Sequence, residues 1–185
     1  MGVLVVVTPP GPLVTLASAK AHLRVTTYGE DELIQTYIDA ASAYIDGPNG
    51  VLKRAVMEQV LEYRSHAFLG SERLPCGPVS EVQSILYTDA DGVEQTVLEG
   101  SYEVLDDRLG LTWGSSWPRH RGDPNGIRVR YKAGSTLAPV PIQQAALLLV
   151  GQWFRNRMAV NVGNIVNEMP NGVAALLSPY KIRKF

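Results

Sequence analysis

The residues of this chain that are able to do chemistry are few and scattered. His22, His66 and His120 are the only histidines and Cys76 is the only cysteine. None of them shows the HxxxH or HExxH spacing that would place two metal ligands on one helical face. One cysteine also excludes an internal disulfide. Asp89 and Asp91 resemble the start of a calcium loop, but the later ligands and the closing glutamate are missing, so a hairpin turn is the expected reading. Arg121-Gly122-Asp123 matches a cell-adhesion tripeptide, yet it runs into Asp123-Pro124-Asn125-Gly126, which reads as a turn. No GxSxG, GxxxxGK[ST] or GxGxxG occurs, which leaves no nucleophile elbow and no phosphate cradle. Catalytic, metal-binding and cofactor-binding residues are therefore expected to be none, and the chain is not expected to be an enzyme.

Charge is the stronger signal. Residues 1–107 carry six Lys/Arg against 16 Asp/Glu, and residues 108–185 carry 11 against two, although the whole chain has a net charge of only -1. Such segregation suits head-to-tail contact between identical subunits if it survives folding. Arg119, Arg121, Arg128, Arg130 and Lys132 form a basic group that could meet nucleic-acid phosphates or an acidic protein surface. Tyr131 is expected to point away from that face, which argues against base stacking. At the end of the chain, Tyr180, Lys181, Arg183, Lys184 and Phe185 make a basic-aromatic peptide suited to a partner groove.

These residues need elements to position them, and 185 residues with 45% apolar content supply one folded domain or a core with an insertion. Residues 1–7 are apolar but far short of the ~18 needed to cross a membrane, and they lack a basic lead-in, so no targeting or membrane segment is expected. Pro9, Pro10 and Pro12 suggest an extended arm. Thr15 is a suitable N-cap for a short helix with Leu16, Ala19 and Leu23 on one face. A second helix is expected from Glu30 to Asp46, with acids in its first turn and apolar residues at helical spacing, broken by Gly47-Pro48-Asn49-Gly50.

The period then shortens. Residues 56–68, 82–87, 93–98, 102–105, 109–113 and 127–132 read as strands, with hairpin turns at Asp89-Ala90-Asp91-Gly92 and Asp106-Asp107-Arg108-Leu109-Gly110. Residues 127–132 alternate strictly, which directs Ile127, Val129 and Tyr131 inward and Arg128, Arg130 and Lys132 outward. A long helix follows Pro139 and Pro141 and is expected to run to about Met158. It is apolar nearly all round: Leu147 and Leu148 lie opposite the main stripe, so cover from a neighbouring subunit is expected over Leu147, Leu148, Trp153, Arg155 and Arg157. One or two helical turns over residues 173–177 precede the basic end. The fold expected is thus α+β. Its helical core, residues 1–55 and 134–185 with N- and C-terminal arms, carries an inserted small antiparallel sheet or barrel over residues 56–133.

Taken in order, several stretches resemble the head-tail connector (adaptor) proteins of tailed bacteriophages and gene transfer agents. They are Leu16-Ala17-Ser18-Ala19-Lys20-Ala21-His22-Leu23-Arg24, Asp31-Glu32-Leu33-Ile34 through Tyr37-Ile38-Asp39-Ala40-Ala41, Pro78-Val79 with Val82 and Tyr87 before Asp91-Gly92, and Val140-Pro141 through Gln144-Ala145, Trp153-Phe154 and Asn156-Arg157. The series closes with Met169-Pro170-Asn171-Gly172-Val173 and Leu176-Leu177-Ser178-Pro179-Tyr180. Met158 departs from the pattern, since an acid often follows the Asn-Arg pair in that family. The resemblance implies a virion structural protein made in the bacterial cytoplasm and located in the particle neck. It implies a homo-oligomeric ring of about twelve copies that binds the portal and a stopper or tail-terminator protein, while DNA passes through without sequence-specific contact. The portal-binding arm is expected at Leu176, Leu177, Tyr180, Lys181, Arg183, Lys184 and Phe185. The alternative is a monomeric nucleic-acid-binding module that uses the basic strand face.

Overall fold

The computed structural model describes residues 2–68, 70, 73–156 and 171–182. The chain divides into two compact units: Met1–Gly11 with Arg54–Thr136, and Pro12–Lys53 with Leu137–Phe185.

The first unit is built on strands β1 (Val3–Thr8), β2 (Gln59–Ser65), β3 (Val79–Thr88), β4 (Glu94–Thr96), β5 (Tyr102–Leu105), β6 (Arg108–Leu111) and β7 (Ile127–Ala133). Five of them form an open antiparallel sheet in the order β1-β2-β7-β3-β4, and β5 pairs with β6 as a separate hairpin. Among the described residues the sheet keeps two edges and does not close as a barrel. The last strand in sequence is the central one, and its alternation follows the expected pattern: Ile127, Val129, Tyr131 and Ala133 are buried while Arg130 is exposed. Their buried side joins Leu61, Ile85, Val97 and Leu109 in one core.

The first strand is a correction. Residues 1–7 were expected to lie in an arm of the helical core, but Val3–Thr8 pairs antiparallel with β2. Four β-branched valines within this stretch favour extended backbone, and β2 otherwise lacks a partner on that side. The expected strand over residues 109–113 also ends early, at Leu111. The turn expected over Asp106-Asp107-Arg108-Leu109-Gly110 is shorter in the structure, because the strand already begins at Arg108. Leu105 pairs with Arg108 and both intervening residues have positive φ, the geometry of a two-residue hairpin loop.

The second unit contains α1 (Leu16–Leu23), α2 (Asp31–Ile45), α3 (Val140–Arg155) and α4 (Asn171–Leu177), followed by a 3-10 turn at Ser178–Tyr180. Thr15 caps α1, its hydroxyl accepting from the Ser18 N–H at 3.2 Å. The Lys20 ammonium reaches Asp31 in the first turn of α2 at 2.5 Å and lies 4.7 Å from the Tyr28 ring centroid. The chain leaves α2 by folding back on it, Val51 N–H donating to the Tyr44 carbonyl at 2.8 Å. A Cβ at Gly50 would collide with the carbonyls of Ile45 and Asp46, so the tight return depends on glycine there. Packed against α3 are α1, α2 and α4. The α3 helix ends at Arg155 with Asn156 as its cap, short of the expected Met158, which lies outside the described residues.

Candidate functional site

The basic group divides once the sheet forms. On the outward side of β7, each cation meets a carboxylate from the acidic half of the sequence. Arg128 pairs with Glu94, and the Lys132 ammonium lies 3.5 Å from Glu58. Arg130 donates to Glu62 at 2.8 Å, and Arg64 reaches the other oxygen of that carboxylate at 2.7 Å. The Glu62 side chain is only 3% exposed, against 44% for Arg130 and 39% for Arg64, so two guanidinium groups cover one carboxylate. Burial by itself would raise the Glu62 pKa, but the hydrogen bonds and charges of Arg130 and Arg64 outweigh it and hold the group below its ordinary range. A phosphate approaching this face would compete with carboxylates already in place.

Arg121 and Arg119 lie outside that network. Arg121 is 3.4 Å from Asp123, which makes the adhesion-like tripeptide a turn closed by its own ion pair. Arg119 is exposed and makes no hydrogen bond or ion pair among the described residues. Rings on either side of Arg119 anchor this segment: Trp117 stacks on Phe68 at 4.6 Å, and His120 meets the same ring edge-on at 5.2 Å. Tyr131 points inward as expected, and its hydroxyl donates to the Pro75 carbonyl at 2.5 Å. Burial pushes the Tyr131 pKa up, with Cys76, Asp107 and Tyr63 adding to the effect.

The scattered chemical residues stay apart. Cys76 is buried in the sheet core. His22 lies on α1, with its Nε2 3.3 Å from where a Cβ on Gly151 would stand, so glycine at 151 is what admits the ring against α3. Among the described residues, no group of three His, Cys, Asp or Glu could hold a metal ion. Asp89 is occupied by its own hairpin: its carboxylate accepts from the N–H groups of Asp91 at 3.0 Å and Val93 at 2.9 Å and from Gln95 at 3.1 Å. The Val93 bond is the leading cause of its lowered pKa.

In the helical unit, Leu147 and Leu148 are half-buried, and the side chain of Leu148 lies 3.8 Å from where a Cβ on Gly172 of α4 would be. Part of the cover expected from a neighbour is thus supplied by the chain's own α4. Trp153 is half-buried with its ring 6.3 Å from Tyr37, and Arg155 is exposed, its Nε donating to the Gly151 carbonyl at 3.2 Å. Arg157 lies outside the described residues. Of the expected portal-binding arm, Leu177 is 3% exposed and belongs to the core of this unit, while Leu176 and Tyr180 are half-buried and Lys181 is exposed. The Ile182 N–H donates to the Leu52 carbonyl at 3.4 Å, tying the segment back to its own unit. Arg183, Lys184 and Phe185 lie outside the described residues.

Sequence reasoning missed Trp113. It was expected to end a strand, but it stands fully exposed in a turn, with Leu98 and Leu105 as further exposed apolar residues of the sheet unit. The available signal was Thr112-Trp113-Gly114-Ser115, where glycine in third place marks a turn. No helix among the described residues is long and apolar enough to cross a membrane.

Residues 13–75 match the family described as phage gp6-like head-tail connector protein. No curated protein sequence matches the chain. Three solved structures resemble it over almost its whole length. One is the neck of an empty GTA particle computed with C6 symmetry, with TM-score 0.73 and 26% identity, covering 99% of this chain and 97% of that one. A second is the virion of a native gene transfer agent (GTA) particle, with TM-score 0.74 and 25% identity over 98% and 96% of the two chains. The third, the neck of a native GTA particle computed with C12 symmetry, shares the fold at TM-score 0.69 and 22% identity, covering 99% of this chain and 97% of that one. The family match covers the first helices and the first strand after them, and the structural likeness to chains of GTA particles extends over both units.

Proposed function

We propose that this protein is a structural component of a particle neck: an adaptor that forms a ring between the portal and the next neck or tail protein and continues the DNA channel. The observation that carries this reading is the likeness to a chain in a GTA neck, which spans both units and leaves almost nothing of either chain unmatched. The symmetry of the related necks supports a ring in which each subunit offers two different faces to its neighbours. The exposed ends of the helical unit fit that role. Leu137 and Val140 are 71% and 75% exposed at the start of α3, and Arg155 is exposed at its end. We assign the subunit interface to Leu147, Trp153, Arg155 and Arg157 on and just beyond α3, and the portal contact to the segment that follows Tyr180.

The burial of Leu177 narrows the portal contact, because a residue of the helical core cannot be presented to a partner while α4 stays folded. The arm therefore starts after Tyr180, with Lys181 supplying charge and Ile182, 46% exposed, supplying apolar surface. Deleting residues 181–185 is expected to leave the subunit folded, with an unchanged circular dichroism spectrum, and to abolish attachment to portal-bearing heads. Normal attachment by the truncated protein overturns the assignment of the arm. Electron microscopy of the neck that places this chain anywhere other than in a ring next to the portal overturns the whole reading.

A further inference from the structure

Two four-residue turns in the sheet unit share one design. Residues 98–101 close with the Ser101 N–H donating to the Leu98 carbonyl at 3.2 Å, and residues 112–115 close with the Ser115 N–H donating to the Thr112 carbonyl at 3.1 Å. In each the third residue is a glycine with positive φ, 86° at Gly100 and 82° at Gly114. That is the conformation such a turn requires and that a side chain would strain. The second residue of each turn, Glu99 in one and Trp113 in the other, is carried at the corner, and both are exposed.

The turns are clipped together. Thr112 N–H donates to the Ser101 carbonyl at 3.1 Å, and the Thr112 hydroxyl donates to the Gly100 carbonyl at 2.9 Å. The Ser101 hydroxyl donates to the Leu98 carbonyl at 2.6 Å, and the Thr112 and Ser115 hydroxyls lie 2.9 Å apart. A tryptophan fully in water is thus displayed on a backbone already fixed by hydrogen bonds, so little conformational freedom remains to be lost when a partner covers it. Leu98, 77% exposed, adds apolar surface at the same place.

The charged residues of the turns and of the hairpin end next to them are Glu99 and Glu103, while the hairpin's cation, Arg108, stands at its far end opposite Leu105. Glu99 and Glu103 are exposed and make no ion pair among the described residues, in contrast to Glu58, Glu62 and Glu94 on the sheet face. Glu99 acts locally: burial and then its charge raise the pKa of Tyr102. An exposed indole on a turn clipped to the one that carries the unpaired Glu99 is complementary to a segment carrying lysine or arginine next to apolar side chains, since a cation is drawn both to the ring face and to a carboxylate.

We propose that the paired turns at residues 98–101 and 112–115 are a docking surface for a cation-bearing apolar segment of another protein, with Trp113 as the anchor and Glu99 and Glu103 selecting positive charge. This goes beyond the portal assignment and does not use the C-terminal segment. The test employs the full chain and a fluorescently labelled peptide of alternating arginine and leucine, read by anisotropy, with the same peptide carrying glutamate for arginine as control. Binding of the arginine peptide is expected. It should weaken about tenfold or more in Trp113→Ala, as for an interface anchor, and several-fold in the Glu99→Gln/Glu103→Gln double variant. All proteins should keep the same thermal transition, because the altered side chains are exposed.

No binding, equal binding by Trp113→Ala, or equal binding of the glutamate peptide overturns the proposal. Concentration-dependent self-association that is lost in Trp113→Ala also overturns it, by making a second copy the occupant. Because the measurement is made without portal or heads, its failure leaves the neck reading standing, and failure of that reading leaves this surface to be judged on its own.

Discussion

The sheet unit and the helical unit use charge in opposite ways. The sheet unit brings oppositely charged residues together across its face, so that Glu62 lies between Arg64 and Arg130, Arg128 meets Glu94 and Lys132 meets Glu58. The helical unit relies on apolar contact around α3, where Ile142, Ala145, Ala146, Leu149 and Val150 are buried, while Lys20 pairs with Asp31 between α1 and α2. Counted over whole units, the sheet unit holds nine Lys/Arg against 12 Asp/Glu and the helical unit eight against six. The steep imbalance between the two halves of the sequence thus shrinks to -3 and +2. The difference teaches that charge segregated along a chain can be an instruction for pairing: β2 and β4 come from the acidic half and β7 from the basic one, and the sheet joins them. Charge left over after that pairing is the better guide to partners.

The largest effect that could break the comparison comes from emptying each core in turn. Ile38→Ala in α2 and Ile85→Ala in β3 each remove a fully buried side chain and are expected to cost about 3 kcal/mol. Hydrogen exchange should then show protection falling first in the unit that carries the change. Equal loss in both units would mean that they unfold as one body.

Next comes Glu62→Gln, expected to cost roughly 2 kcal/mol near neutral pH because two charge-assisted hydrogen bonds lose their charged acceptor. Its pH dependence has a definite sign. The folded pKa of Glu62 lies below the ordinary 4.5, so the stabilisation is complete above that value and fades as pH falls through the depressed folded one. Thermal melts from pH 7 down to about 3 should therefore converge for the wild type and the variant at the acid end. A constant gap between them would show that the Glu62 charge does not stabilise the sheet.

Smaller still is Thr15→Ala, expected to cost about 1 kcal/mol through the lost α1 cap, with urea titration as the measure. If that loss is accompanied by early exchange in β7, the two-unit division fails. The smallest expected effect is Arg119→Gln, within about 0.5 kcal/mol of wild type by the same titration, because this cation has no partner among the described residues. A larger loss would place it inside the sheet's charge network.

Elements with a strong local rule were legible from the sequence. The cap at Thr15, the alternation of residues 127–132 and a hairpin turn opening at Asp106 are decided by neighbours a few residues away, and the structure follows each. What the sequence hid depends on partners far along the chain. Residues 3–8 resemble a loose arm until β2, more than fifty residues later, supplies the hydrogen bonds. The outward cations of β7 look available until Glu58, Glu62 and Glu94 arrive beside them. Trp113 has the composition of a strand end, and only the glycine after it reveals the turn.

The position of β7 has a consequence for how the protein is made. Val3–Thr8, Gln59–Ser65 and Val79–Thr88 emerge from the ribosome before Ile127–Ala133, yet the strand that bridges β2 to β3 is the last of the seven. Until it is synthesised, the nascent chain holds two hairpin-like fragments with facing open edges and nothing to join them, a state that invites pairing with other nascent copies. Completion of the sheet is therefore a late event, and a message truncated before codon 127 would yield a product without its keystone.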